Sequence, residues 1–209
     1  MSPTNPTILV TGFQPFGGQD VNPALEAVRA LPEEIAGARI VQVEVPVTYR
    51  QAFEPVAAAI EEFSPDAVVC VGQAAGRPCV TVERVAINVD DCEQPDNADT
   101  IRCNVPILED GPAAYFATLP VHELVRAIEA AGLPAQVSDS AGTYVCNHLM
   151  YLVLDHAARK RPGMLGGFIH VPLLHEQTIK GDMRGKPSMG KADIVASLTA
   201  ALTALAKVL

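Results

Sequence analysis

The chain has 209 residues, 49% of them hydrophobic and 19% charged, the balance of one folded domain with a full core and not of a disordered chain. Acids outnumber bases 24 to 15, for a formal charge of −9, and such a surface repels phosphate backbones and anionic lipid, which argues against nucleic-acid and membrane partners. With no tryptophan and 5% aromatic residues, a platform for stacking bases is also excluded. Residues 1–6 are polar and lack the basic-then-apolar pattern of a secretory leader. The uncharged stretches 140–154 and 194–206 have 15 and 13 residues, short of the ~18 apolar residues that a membrane span needs. Five cysteines at 70, 79, 92, 103 and 146 form no C-x-x-C pair, which fits neither a disulfide framework nor a structural zinc site and points to a reduced, cytoplasmic compartment.

Strand-like and helix-like segments alternate along the chain. Residues 7–11 are a short β-branched run that ends in the glycine-bearing loop 12–18. Residues 22–31 read as a helix, with Asn22 as cap and Pro23 at the first position. Residues 39–47 alternate at period two as a half-buried strand, and 49–63 carry Phe53, Val56, Ala57, Ile60 and Phe63 at helical spacing. The uninterrupted apolar run 67–72 is expected to be a central parallel strand, buried on both faces. A further strand is expected over 80–89. Residues 90–110 hold seven acids and one base and read as a long exposed loop. A helix over 121–131, a strand over 135–140, a helix over 146–161, a strand over 167–171 and a closing helix over 191–209 complete the pattern. It predicts a single domain over residues 1–209, an open α/β/α sandwich with a mainly parallel twisted sheet and helices on both faces.

Three residues bear chemistry. Cys146 follows a glycine turn at the start of a helix, where free N–H groups and the helix dipole are expected to lower a thiol below ~8.5 and to receive an oxyanion; a small buried side chain is the competing reading. His170 ends the apolar strand GFIHVP, at the rim where α/β sheets bind ligands, and competes with a hydrogen-bonded core imidazole. His122, His148, His156 and His175 are weaker candidates for the proton shuttle that a thiolate needs. Glu83 is a carboxylate in the apolar strand VTVERVAINV, which must be paired, either by orienting a histidine or by a salt bridge to Arg84 or Arg50. No metal-binding motif occurs, and the loop 12–18 matches no phosphate cradle.

Taken together, TGFQPFGG (11–18) with Val21-Asn22-Pro23, VERVAINVDD (82–91), SDSAGTYVCNHLMY (138–151) and GGFIHVP (166–172) resemble pyroglutamyl peptidase I, a family of cysteine exopeptidases. DGPAAYFATLP (110–120) and Pro187-Ser188-Met189 extend the likeness to nearly the whole chain. The resemblance implies removal of an N-terminal pyroglutamyl residue from peptides through a thioester acyl-enzyme, with no cofactor and no metal. It implies Cys146 as nucleophile, His170 as general base then acid, and Glu83 as orienting carboxylate. Phe13 and Phe16 would sandwich the lactam ring, Tyr144 and Val145 would complete the pocket, and Gln73 would lie nearby as a polar contact. An open α/β sandwich assembled as a homotetramer is also implied. A neutral lactam suits such a pocket, because it needs apolar walls and a few hydrogen-bonding groups.

One departure stands out. The family has an arginine shortly after the paired aspartates, where this chain reads Asp90-Asp91-Cys92-Glu93. Either another donor, Arg77 or Arg102, supplies that charge, or activity is reduced. Cys92 and Cys103 would pair under oxidation if the loop brought them together. A binder of lactam-capped peptides that lacks turnover, and a thiol amidase for another small acyl group, are the rival readings.

Overall fold

The computed structural model describes residues 5–209; residues 1–4, the greater part of the polar opening segment, lie outside the described residues. The first run forms β1 (Thr7–Phe13) and enters α1 (Pro23–Val28), where the Asn22 side chain accepts from the Ala24 N–H at 3.0 Å, as a cap should. A short hairpin of β2 (Glu34–Ile35) and β3 (Ala38–Val45) follows, then α2 (Glu54–Phe63) and β4 (Ala67–Gln73). The helix expected from residue 49 starts only at Glu54; the Tyr49 N–H binds the Asp96 carboxylate at 2.9 Å.

The strand expected over 80–89 is two strands in different sheets. β5 (Val80–Glu83) belongs to the main sheet, whereas β6 (Val85–Ile87) pairs with β9 (Ala114–Phe116). The break falls at Arg84, whose N–H binds the Ser138 carbonyl and whose carbonyl accepts from Ala117, each at 2.8 Å. The segment read as a long loop is folded as well: β7 (Asp90–Cys92) and β8 (Arg102–Val105) form a hairpin. Asp96 organises its turn, accepting from the N–H groups of Ala98 and Thr100 at 2.8 and 2.9 Å. Then come α3 (Val121–Ala130), β10 (Ala135–Ser138), α4 (Val145–Lys160), β11 (Leu165–Val171), β12 (Leu173–Leu174), β13 (Ser188–Met189) and α5 (Lys191–Ala206).

The main sheet has seven strands in the order β10-β5-β11-β4-β1-β3-β2. Four neighbouring pairs are parallel, while β5 runs antiparallel to β11 and β2 to β3. Period-two alternation splits the core in two. Ile8, Val10, Val69, Val71, Val80, Val82 and Ile169 face α1, α3 and α5, while Leu9, Phe13, Val68, Cys70 and Phe168 face α2 and α4. All seven residues of β4 are buried, as an inner parallel strand requires.

At the end of β1 the sheet meets α1 with no room to spare. A Cβ on Gly12 would lie 2.8 Å from the Leu25 Cα, and backbone cannot move aside as a side chain can. Gly12→Ala is expected to destabilise the fold by about 1–3 kcal/mol, seen as a lower urea midpoint at unchanged slope.

Candidate active site

Alternation along β11 and β5 places His170, Thr81 and Glu83 on one face of the sheet, the face covered by α4. Because the two strands run antiparallel, His170 lies opposite Thr81 and Phe168 opposite Glu83. The diagonal brings His170 Nδ1 within 2.8 Å of Glu83 Oε1. That same oxygen accepts from Arg77 Nη1 at 2.5 Å and from the Thr81 hydroxyl at 3.3 Å. Arg77 is further held by the Thr81 hydroxyl and by the Ser140 carbonyl. Glu83 is fully buried, so this clamp is what keeps its charge tolerable away from water.

Cys146 sits in the first turn of α4, where no side chain caps the helix. Its sulfur faces β4 at Gly72, the residue paired with His170 across β4 and β11. A Cβ on Gly72 would lie 2.7 Å from the Phe168 ring and 3.1 Å from Cys146 Sγ, so only glycine leaves the thiol its seat. Cys146 and His170 open into one cavity of about 280 Å³, whose walls include Phe13, Phe16, Gln73 and Tyr144. The Phe16 and Tyr144 rings stand 6.1 Å apart in its wall, and Phe13 packs against Phe168 at 6.3 Å. Of the pocket residues expected, Val145 alone is not brought in by its side chain, which is buried in the core beneath α4; only its main chain is at the helix start.

Burial holds His170 below its ordinary 6.5, with Glu83 offsetting this in part. The imidazole is therefore neutral near pH 7, with Nδ1–H donated to the carboxylate and a lone pair on Nε2. Burial works against the Glu83 charge, but the hydrogen bond and charge of His170, with Arg77, outweigh it and hold the carboxyl below 4.5. The thiol departs from expectation. Burial, followed by the nearby Glu83 charge, pushes Cys146 up to about 12. The helix start therefore does not yield a resting thiolate, because desolvation and a like charge outweigh its dipole.

The other histidines lie elsewhere. His148 binds Asp90 at 2.9 Å, His156 packs on Phe53, and His175 binds the Ser188 hydroxyl at 2.9 Å. His122 is exposed. Glu83 takes neither Arg84, which pairs with Asp139, nor Arg50. Arg102 pairs with Asp90 at 3.1 Å and covers the Tyr49 ring, so of the two arginines weighed against Glu93 only Arg77 reaches the cavity. The register sets Cys92 opposite Arg102, with Cys103 one residue along and on the other face of the hairpin. Two roles in the cavity were not legible: Asn22, read only as a cap, lines it, and Arg77, weighed only against Glu93, clamps Glu83, a reach that depends on the turn before β5. Among the described residues, no three side chains of His, Cys, Asp or Glu converge to hold a metal ion, and no helix is long and apolar enough to cross a membrane.

A thiol beside a histidine–carboxylate pair at the edge of an α/β sheet is the arrangement of a cysteine peptidase. The family model described as pyroglutamyl peptidase matches residues 6–208. The chain is 49% identical over 197 residues to the pyrrolidone-carboxylate peptidase of Alkaliphilus oremlandii, covering 94% of this chain and 92% of that one. It is 51% identical over 198 residues to that of Lactobacillus johnsonii, covering 95% and 91%. The crystal structure of pyroglutamyl peptidase I from Bacillus amyloliquefaciens superposes with a TM-score of 0.93 at 41% identity, over 97% of each chain. The chain belongs to the pyroglutamyl peptidase family and is a cysteine peptidase.

A thiol pushed up to about 12 is expected to alkylate slowly. In the native protein at pH 7, iodoacetamide should modify Cys146 more slowly than the exposed Cys103, as followed by peptide mass spectrometry. Faster labelling of Cys146 would establish a preformed thiolate.

Proposed function

We propose that this enzyme removes N-terminal pyroglutamyl residues from peptides and proteins, with Cys146 as nucleophile, His170 as general base then acid, and Glu83 as the carboxylate that orients His170. The observation that carries the reading is the single cavity into which Cys146 and His170 both open, with Glu83 bound behind the imidazole. Its volume, about 280 Å³, is below the ~300–1,000 Å³ of drug-sized sites and suits a five-membered lactam. Phe13, Phe16 and Tyr144 supply flat apolar walls, Gln73 a polar contact, and Val145 its main chain at the helix start.

Since the resting thiol is protonated, attack and deprotonation go together. Cys146 Sγ bonds to the scissile carbonyl carbon as its proton passes to His170 Nε2. The N–H groups at the start of α4 receive the oxyanion, a contribution on the order of 3 kcal/mol where one such donor has been removed. The C–N bond then breaks, the amine leaves with the proton from His170, and a pyroglutamyl thioester remains. Water attacks the thioester carbon and gives a proton to His170; the C–S bond breaks, pyroglutamate leaves, and the sulfur takes the proton back from His170 to restore the thiol. No cofactor takes part. The cysteine usage fits a reduced cytoplasm, and family likeness implies a homotetramer.

Release of a chromogenic amine from its pyroglutamyl amide under reducing conditions tests the reading. Cys146→Ala should abolish turnover, and Glu83→Gln should reduce kcat by two or more orders of magnitude while binding persists. A folded, reduced wild type that binds the amide without releasing amine would favour the binder.

The pH profile carries a second expectation. His170 must be neutral to accept a proton, and its folded pKa lies below 6.5. The acid limb of kcat/KM for the free enzyme should therefore have its midpoint below pH 6.5, with activity lost as pH falls and a plateau through neutral pH. A midpoint above that value would show that Glu83, not burial, dominates the imidazole.

A further inference from the structure

Gln73 enters the cavity from the last position of β4, and its side chain is gripped from outside. Gln177, in the short 3₁₀ turn after β12, is buried and donates Nε2–H to Gln73 Oε1 at 3.0 Å. A terminal amide can be turned either way, but here its polarity is pinned by main chain at both ends. The Leu174 N–H, which can only donate, binds Gln177 Oε1 at 2.9 Å. The Val21 carbonyl, which can only accept, lies 3.4 Å from Gln177 Nε2. Gln177 therefore has only N–H to offer Gln73, which must answer with its own Oε1. The Gln73 NH2 group is left turned away from Gln177, on a side chain that lines the cavity beside Phe13, Phe16 and Tyr144.

We propose that Gln177 is a positioning residue that holds the Gln73 amide with its N–H donors facing the bound acyl group, so that the site selects a ring bearing a carbonyl acceptor. The inference rests on the pyroglutamyl reading, in which that acceptor is the lactam oxygen. A ring of the same size without the carbonyl leaves the donors of the buried Gln73 unpaired, and the site rejects it for that reason. Neither glutamine takes part in bond making.

Gln177→Met removes the pin while keeping the volume, and Gln73 is then free to turn its oxygen inward. For the pyroglutamyl amide, KM should rise about five- to tenfold, the loss of one neutral hydrogen bond, with kcat within about twofold. Competitive inhibition by 2-pyrrolidinone should weaken by the same factor. Inhibition by cyclopentanecarboxamide, a five-membered ring with no ring carbonyl, should not change. Gln73→Glu is a second variant that keeps its bond from Gln177 but presents an acceptor to the cavity; it should weaken 2-pyrrolidinone more than tenfold. Unchanged 2-pyrrolidinone inhibition in Gln73→Glu overturns the proposal, whether or not Gln177→Met folds. Equal weakening of both inhibitors in Gln177→Met also overturns it, by showing a collapsed cavity. If the wild type releases no amine from the pyroglutamyl amide, the pyroglutamyl reading itself has failed, and this inference falls with it.

Discussion

The buried charge of Glu83 constrains everything around it. A carboxylate without water costs several kcal/mol unless its partners are close and correctly placed, and here they come from three directions. Thr81 is two residues back on the same strand face, His170 is diagonal on β11, and Arg77 reaches in from the turn before β5. Each contact requires a particular strand register. A slip of one residue would turn Glu83 toward the apolar layer of α1, α3 and α5 and leave it unpaired. The stability of the sheet and the orientation of the imidazole therefore share one cause.

The antiparallel entry of β5 makes the geometry work. In an all-parallel sheet Glu83 would lie at the same rim as the end of β11. Reversed, its face neighbours on β11 are Phe168 and His170, and the carboxylate ends up behind the imidazole and away from the cavity. The face toward the cavity is left to Nε2, and Gly72 leaves room there for the sulfur. The same burial that holds His170 neutral pushes the thiol up. In the proposed mechanism, proton transfer is therefore coupled to attack instead of preceding it.

The hairpin of β7 and β8 shows how local composition can mislead. Its acids look like a solvated loop, yet Asp90 and Asp96 are buried and are consumed in structure. Asp90 is bound by His148 and Arg102, and Asp96 by main-chain N–H groups, one of them on Tyr49. Tyr144, whose hydroxyl donates to the Pro95 carbonyl at 2.9 Å, links this hairpin to the cavity wall. Glu93 itself is exposed, and Arg77 stands in the cavity bound to Glu83.

By itself the sequence determined the alternation of strands and helices, the Asn22 cap, the buried β4 and the three chemical side chains. Each of these is a local signal: hydrophobic period, capping chemistry, or a polar residue stranded in an apolar run. Only tertiary structure decided the rest. The break at Arg84 depends on partners at 117 and 138, and the clamp on Glu83 depends on a strand pairing 87 residues away in sequence. The hold of Gln177 on Gln73 spans 104 residues, with no local pattern to mark it. The thiol shows the limit most clearly. Its place at a helix start was legible, but the sign of its shift was set by desolvation and a neighbouring charge, which exist only once the chain has folded.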